Sequence, residues 1–205
     1  TPESFKQTIE QLIELSPDRV SVFNYAHLPE RFAAQRKIKE HDLPDAHDKL
    51  TMFKNTLEQM TKAGYQFIGM DHFAKVDNEL AVAQNEGKLH RNFQGYTTHG
   101  NCDLLGLGAS SISQIGTAIL QNKKELKHYY HSIETQSGCA LSKGMHLIHD
   151  DVIRADAIKQ LICQFELNID EFAKKYHIEF DTYFAEALVS LKPLIDDNMA
   201  IIENN

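Results

Sequence analysis

The sequence is short of cysteine, of basic excess and of long apolar runs, and each shortage excludes something. Three cysteines stand in 205 residues, Cys102, Cys139 and Cys163. They are odd in number and far apart, which excludes a disulfide framework and suits a reducing, cytoplasmic setting. They also provide no close-spaced set for an iron–sulfur cluster. The formal net charge is −8, with acids and bases interspersed. A nucleic-acid surface would carry a basic patch, so no nucleic-acid partner is expected. No apolar run approaches the ~18 residues of a transmembrane helix, and no charged start followed by an apolar core marks a secretory leader. No membrane partner is expected, and the protein is read as a monomer. Internal repeats and low-complexity linkers are absent. The chain opens on Thr1 rather than Met, so a preceding segment is expected.

What is present is an ordinary globular composition, 42% apolar, enough for one large domain or two small ones. Thr1-Pro2-Glu3 starts a helix with a cap, a proline at the first turn and an acid at the positive end of the dipole. Phe5, Ile9, Leu12 and Ile13 share its apolar face, and Ser16-Pro17 ends it. Arg19 to Tyr25 predicts a strand buried on both faces, of the parallel kind. Its end leads into Ala26-His27-Leu28-Pro29, where α/β folds hold ligands, or simply into a tight loop. Arg31, Arg36, Lys37 and Lys39 form a basic cluster that suits either substrate carboxylates or a solvated face.

Pro44-Asp45 starts a second helix, with Leu50, Phe53, Leu57 and Met60 as its stripe. Tyr65 to Met70 predicts a second strand, followed by the Asp71–His72 pair, fitted to acid–base work or to local capping. A short helix over 77–87 has Leu80, Val82 and Ala83 as its buried side.

The central stretch is Leu89 to Ser113. It opens on His90, Arg91, Asn92, Phe93, Gln94, Gly95 and Tyr96. It then becomes apolar at Leu104, Leu105 and Leu107, and ends in the small-residue loop Gly108-Ala109-Ser110-Ser111. A buried strand running into glycine and serine is a place for a ligand, or an ordinary strand and turn.

Beyond Gly116 the pattern turns helical, over 122–135, 152–165, 168–175 and 181–194, with a last strand over 199–202. His128 and His131 are spaced for a shared metal but lack a nearby acid, so a solvated face is the reading. His146-x-x-His149-Asp150 resembles a metal set, but Asp at a helix start is better read as a cap. The fold class is therefore α/β over residues 1–116 and mostly helical, in a winged-helix-like manner, over 117–205.

Four segments carry a resemblance. FNYAHLPERFAAQRKI at 23–38, GYQFIGMDHFA at 64–74, ELAVAQ at 79–84 and LHRNFQGYTTHG at 89–100 resemble the oxygen-independent coproporphyrinogen III oxidases, radical-SAM enzymes of haem biosynthesis. The likeness runs from Thr1 to about Tyr183. It implies the later elements of a partial (β/α) barrel followed by the helical domain. It also implies oxidative decarboxylation of two propionates of coproporphyrinogen III to vinyl groups by a 5′-deoxyadenosyl radical. The implied cofactors are two S-adenosylmethionines and a [4Fe–4S] cluster, with an electron donor as partner. By position, Ala26 in the first of these segments and Ile112 in a further matching stretch, GASSIS at 108–113, are the S-adenosylmethionine contacts the resemblance implies. Arg91, Phe93 and Gln94 are the expected substrate or active-site residues. The family's CxxxCxxC cluster motif has no counterpart here, so the chain reads as incomplete and, by itself, inactive. The alternatives are a haem chaperone of the same branch, a winged-helix interaction module, and a metallohydrolase built on Asp71, His72 and other histidines.

Overall fold

The computed structural model describes residues 1–100, 102–135 and 138–203; Asn101, within the central stretch, lies outside them. The chain divides into two compact units. Unit 1 is Thr1–Cys102 together with Ile162–Gln164, and unit 2 is Asp103–Leu161 together with Phe165–Asn205. The division expected near residue 116 falls in the turn of a hairpin within unit 2.

Unit 1 opens with α1 (Pro2–Leu15), capped by the Thr1 hydroxyl and closed by Ser16 in the left-handed conformation. β1 (Arg19–Ser21) follows, then two 3-10 turns over Ala33–Lys37 and Glu40–Asp42. α2 (Ala46–Lys62) starts on Asp45, whose carboxylate accepts from the Asp48 amide at 2.8 Å. β2 (Tyr65–Gly69) and β3 (His72–Lys75) come next, then α3 (Glu79–Asn85), capped by Asn78. A second hairpin is built from β4 (His90–Asn92) and β5 (Gly95–Thr97).

The sheet order is β1-β3-β2 and both pairings are antiparallel. The parallel pairing expected at Arg19–Tyr25 is therefore not found. Only two residues join β2 to β3, whereas a parallel neighbour needs a crossover of about a dozen. β1 is an edge strand of three residues, and Phe23 beyond it is 75% exposed.

Two clusters fill unit 1. α1 and α2 lay Ile9 and Met60 on Tyr65 and Phe73 of the sheet, with Phe5, Leu12, Val20 and Leu57 around them. On the other side Ile68, Ala74, Leu80, Ala81, Ala83, Leu89 and Tyr96 pack with Cys163. The buried side of α3 is thus Leu80, Ala81 and Ala83; Val82, expected inside, is exposed. On a helix of seven residues, positions 80, 81 and 83–84 share one face and 82 lies off it.

Unit 2 holds a three-stranded antiparallel sheet in the order β6 (Ile112–Ile115), β7 (Ala118–Asn122), β8 (Leu141–His146). The helix expected over 122–135 is shorter, α4 (Leu126–Thr135), because residues up to Asn122 pair with both neighbouring strands. α6 (Ile169–Tyr176) matches the periodicity; α5 (His149–Gln164) forms where a helix is expected and buries Ile153, but leaves the apolar Ile158 and Leu161, and Phe165 just beyond it, exposed. The last predicted helix breaks at Phe184 into α7 (Phe180–Tyr183) and α8 (Ala185–Asp196). Residues 199–202, expected as a strand, have no strand partner among the described residues. Ile153, Ala157, Phe172 and Phe184 form the helical core.

One buried charge ties these helices together. Asp156 of α5 accepts from Lys175 Nζ at 2.7 Å, from the Tyr176 hydroxyl at 2.9 Å and from Gln160 Nε2 at 3.1 Å. Burial pushes its carboxyl up, but the bonds from Lys175 and Tyr176 outweigh burial and hold it below the usual carboxylate range. A carboxylate with a lowered folded pKa contributes stability above its unfolded value of about 3.9, lost as pH falls through the folded value. The urea midpoint of the wild type should therefore fall more between pH 6 and pH 3 than that of Asp156→Asn. Asp156→Ala should cost about 1–3 kcal/mol at pH 7, since it strands the partners of a buried acceptor. Equal acid sensitivity in wild type and Asp156→Asn would contradict this role.

Candidate functional site

The β4–β5 hairpin carries most of the expected active-site residues. Its loop is two residues long, between Asn92 and Gly95, and those two residues are Phe93 and Gln94. Asn92 shapes the turn, its side-chain oxygen accepting from the Gln94 amide at 2.8 Å, and Gly95 takes a φ of 129° that a side chain would resist. Phe93 at the tip is 52% exposed and Gln94 is exposed. A large aromatic on a two-residue turn has no core to enter, so its face is available to a ligand.

Arg91 lies directly across the ladder from Tyr96. Opposed side chains on one sheet face meet, and the Arg91 guanidinium carbon sits 4.9 Å from the Tyr96 ring centroid. Nη1 of Arg91 donates to the Met70 sulfur at 2.8 Å. Tyr96 itself is buried, and its hydroxyl donates to the Ile162 carbonyl at 3.3 Å. Burial pushes its phenol up, against the pull of the neighbouring Arg91.

The β2–β3 turn completes the group. Gly69 has φ 143°, and a Cβ there would strike the Tyr96 hydroxyl and come within 3.1 Å of the Ile162 carbonyl. Met70 is left-handed, with φ 55°. His72 stands edge-on to the Tyr96 ring with centroids 5.2 Å apart, and its Nδ1 is 2.6 Å from Asp71 Oδ1 without the alignment of a hydrogen bond. Asp71 and His72 are thus neighbours at a hairpin turn, beside Tyr96 and Met70.

Ala26 is exposed on the segment after β1. Gln35 pins that segment, donating to the Ala26 carbonyl at 3.1 Å while its own oxygen accepts from the Leu28 amide at 2.5 Å. Arg36 of the basic cluster donates to the Pro29 carbonyl at 3.0 Å. Ile112 belongs to unit 2, half-buried at the start of β6. Gly106 lies against its backbone so closely that a Cβ would come 2.5 Å from the Ile112 oxygen.

The apolar run of the central stretch is not a buried strand. Leu104 makes a single bridge to Gln114, and Leu105 and Leu107 are 68% and 83% exposed. The loop beyond it is held by its own bonds. The Gly108 carbonyl accepts from Ser111 Oγ at 2.8 Å and from Asn122 Nδ2 at 2.9 Å. The other histidines form no centre. His146 Nε2 is 2.9 Å from the Thr117 hydroxyl, and His128 and His131 are exposed on α4. No group of three or more His, Cys, Asp or Glu among the described residues is arranged to hold a metal. No helix among them is long and apolar enough to cross a membrane.

No family model matches the chain. It is 56% identical over 202 residues to the oxygen-independent coproporphyrinogen III oxidase of Salmonella typhimurium, covering 98% of this chain and 44% of that protein. To the Escherichia coli K12 protein of that name it is 56% identical over 203 residues, covering 99% and 44%. To the Pseudomonas aeruginosa protein it is 50% identical over 199 residues, covering 97% and 43%. The solved structure of the Escherichia coli coproporphyrinogen III oxidase HemN, described as a radical-SAM enzyme, superposes with a TM-score of 0.93 at 55% identity, over 99% of this chain and 46% of that one. The chain matches the C-terminal part of the oxygen-independent coproporphyrinogen III oxidases. It spans less than half the length of these oxidases.

Tyr96, Met70 and Gly69 were not singled out by sequence reasoning as site residues. Two turn-flanking residues, Asn92 and Gly95, were the available sign of a hairpin that would set Arg91 on Tyr96. Gly69→Ala is expected to lower stability by about 2 kcal/mol or more, from positive φ and overlap with Tyr96. Adding Tyr96→Phe should return part of that loss in urea unfolding. Additive losses in the double variant would show that the hydroxyl does not occupy the space.

Proposed function

We propose that this chain supplies the C-terminal part of an oxygen-independent coproporphyrinogen III oxidase. The reaction oxidatively decarboxylates two propionates of coproporphyrinogen III to vinyl groups, giving protoporphyrinogen IX. Each propionate gives up one β-hydrogen atom, one CO2 and one electron. The observation that carries this reading is the 55% identity and 0.93 TM-score to a radical-SAM coproporphyrinogen III oxidase, running across nearly the whole chain. The β4–β5 hairpin supports it, with an aromatic tip and a guanidinium suited to a flat, carboxylate-bearing substrate.

A [4Fe–4S] cluster with S-adenosylmethionine supplies, when bound, the radical that takes the hydrogen atom. The cluster does not fit these residues. Cys102 and Cys139 are exposed, Cys163 is buried, and no metal-holding group exists among the described residues. S-adenosylmethionine fits better. Ala26 offers an exposed position small enough for a bulky ligand group, and Ile112 an apolar side chain suited to a purine face. We assign them, separately, to two S-adenosylmethionine molecules. Phe93 and Gln94 face the tetrapyrrole, and an electron donor to the cluster is the implied protein partner.

The test is anaerobic reconstitution of the gene's full product with iron, sulfide, S-adenosylmethionine, reductant and coproporphyrinogen III. Formation of protoporphyrinogen with 5′-deoxyadenosine is expected. Cleavage of S-adenosylmethionine without decarboxylation would overturn the oxidase reading in favour of a haem chaperone. The 205-residue chain treated alone should take up no [4Fe–4S] chromophore, and uptake would contradict the account of its cysteines.

A further inference from the structure

Among the described residues, no carboxylate lies within 4.0 Å of the Arg91 guanidinium. Of the other four arginines, Arg19 and Arg154 meet acids, while Arg31 and Arg36, which meet none among the described residues, are exposed. Arg19 lies 2.6 Å from Glu79, and Arg154 lies 2.9 Å from Asp150. Asp71, on the turn beside Met70, lies against His72 instead, at 2.6 Å. The chain carries 29 acids against 21 bases, so a half-buried arginine without an acid stands out.

Arg91 is nonetheless held. The Tyr96 ring lies beside its guanidinium carbon, and Met70 accepts one of its five N–H donors through a sulfur, a weak acceptor. Tyr96 is fixed in turn by its bond to Ile162 and by the absence of a side chain at Gly69. Met70 stands on a left-handed residue, a conformation that costs a non-glycine residue energy and recurs at ligand sites. A guanidinium stays charged at any physiological pH, and its planar fork matches a carboxylate. Two positions along the chain, Phe93 exposes an apolar ring. The combination suits a ligand with a flat apolar body and an acidic edge.

We propose that Arg91 anchors a propionate carboxylate of the tetrapyrrole, with Tyr96 and Met70 as positioning residues. This inference rests on the functional reading above and names the group that recognises the substrate's acid side chains. It needs no cofactor, so binding tests it directly.

The probe is coproporphyrin III, the oxidised macrocycle that keeps all four propionates and cannot react, compared with its tetramethyl ester. Fluorescence titration of the gene's full product should show preference for the acid over the ester. Arg91→Gln should weaken acid binding at least tenfold and erase that preference, with an unchanged urea midpoint. Arg91→Lys should lose about threefold. Tyr96→Leu should weaken the acid severalfold, and Tyr96→Phe, which keeps the ring, should restore it. A short carboxylate such as propionate should not compete at millimolar concentration, which separates the tetrapyrrole from a free small acid. If the wild type prefers the acid and Arg91→Gln prefers it equally, the anchor is elsewhere and the functional reading survives. If the wild type binds neither compound, both fall.

Discussion

Unit 1 depends on the fit of one tyrosine. Tyr96 brings its ring under Arg91, its edge to His72, and its hydroxyl to the Ile162 carbonyl. That fit exists only because residue 69 has no side chain. A buried hydroxyl needs an acceptor, and an unmet one costs about 1–3 kcal/mol. Placing the acceptor on residue 162, 66 positions away, fixes the hairpin against unit 1 rather than leaving it a marginal two-stranded ribbon. The exposed tip, Phe93-Gln94, is then a short arm on an anchored base.

Unit 2 is organised by a different interaction. Asp156 is a buried acid whose partners come from its own helix and from α6. The aromatic set of Phe172, Phe180 and Phe184 packs around the same helices, with ring centroids 4.7 to 6.1 Å apart. Non-directional burial supplies the bulk of helix-to-helix attraction, while a charge that must meet Lys175 and Tyr176 sets their register. Arg154 adds a second tie on the surface, bonding Asp150 at 2.9 Å while Asp150 also accepts from Tyr183.

Much of this was legible in the chain. The caps at Thr1 and Asp45 and the stripe through Ile9 and Met60 follow from local rules of helix starts and spacing, and the structure places them as read; Asp150, read as a cap, lies inside the first turn of α5 instead. Pairing was not. The run Arg19 to Tyr25 looks apolar enough for a parallel interior strand, yet Phe23 faces outward and β1 stops at Ser21. Apolarity reports that a segment wants cover, not which strand covers it. The same limit explains Leu105 and Leu107, apolar in sequence and exposed in unit 2. At the site, resemblance selected Arg91, Phe93 and Gln94, but their supports came from residues about 20 and 70 positions away, Met70 and Ile162. Sequence spacing carries no trace of such contacts.

The β4–β5 hairpin is the surface proposed to meet the tetrapyrrole. Hydrogen exchange by mass spectrometry on the gene's full product, with and without coproporphyrin III, tests this most directly. The account predicts slower exchange over residues 90–97 and at the Met70–His72 turn on binding. Exchange unchanged there, with protection appearing only in segments far from the hairpin, would contradict it.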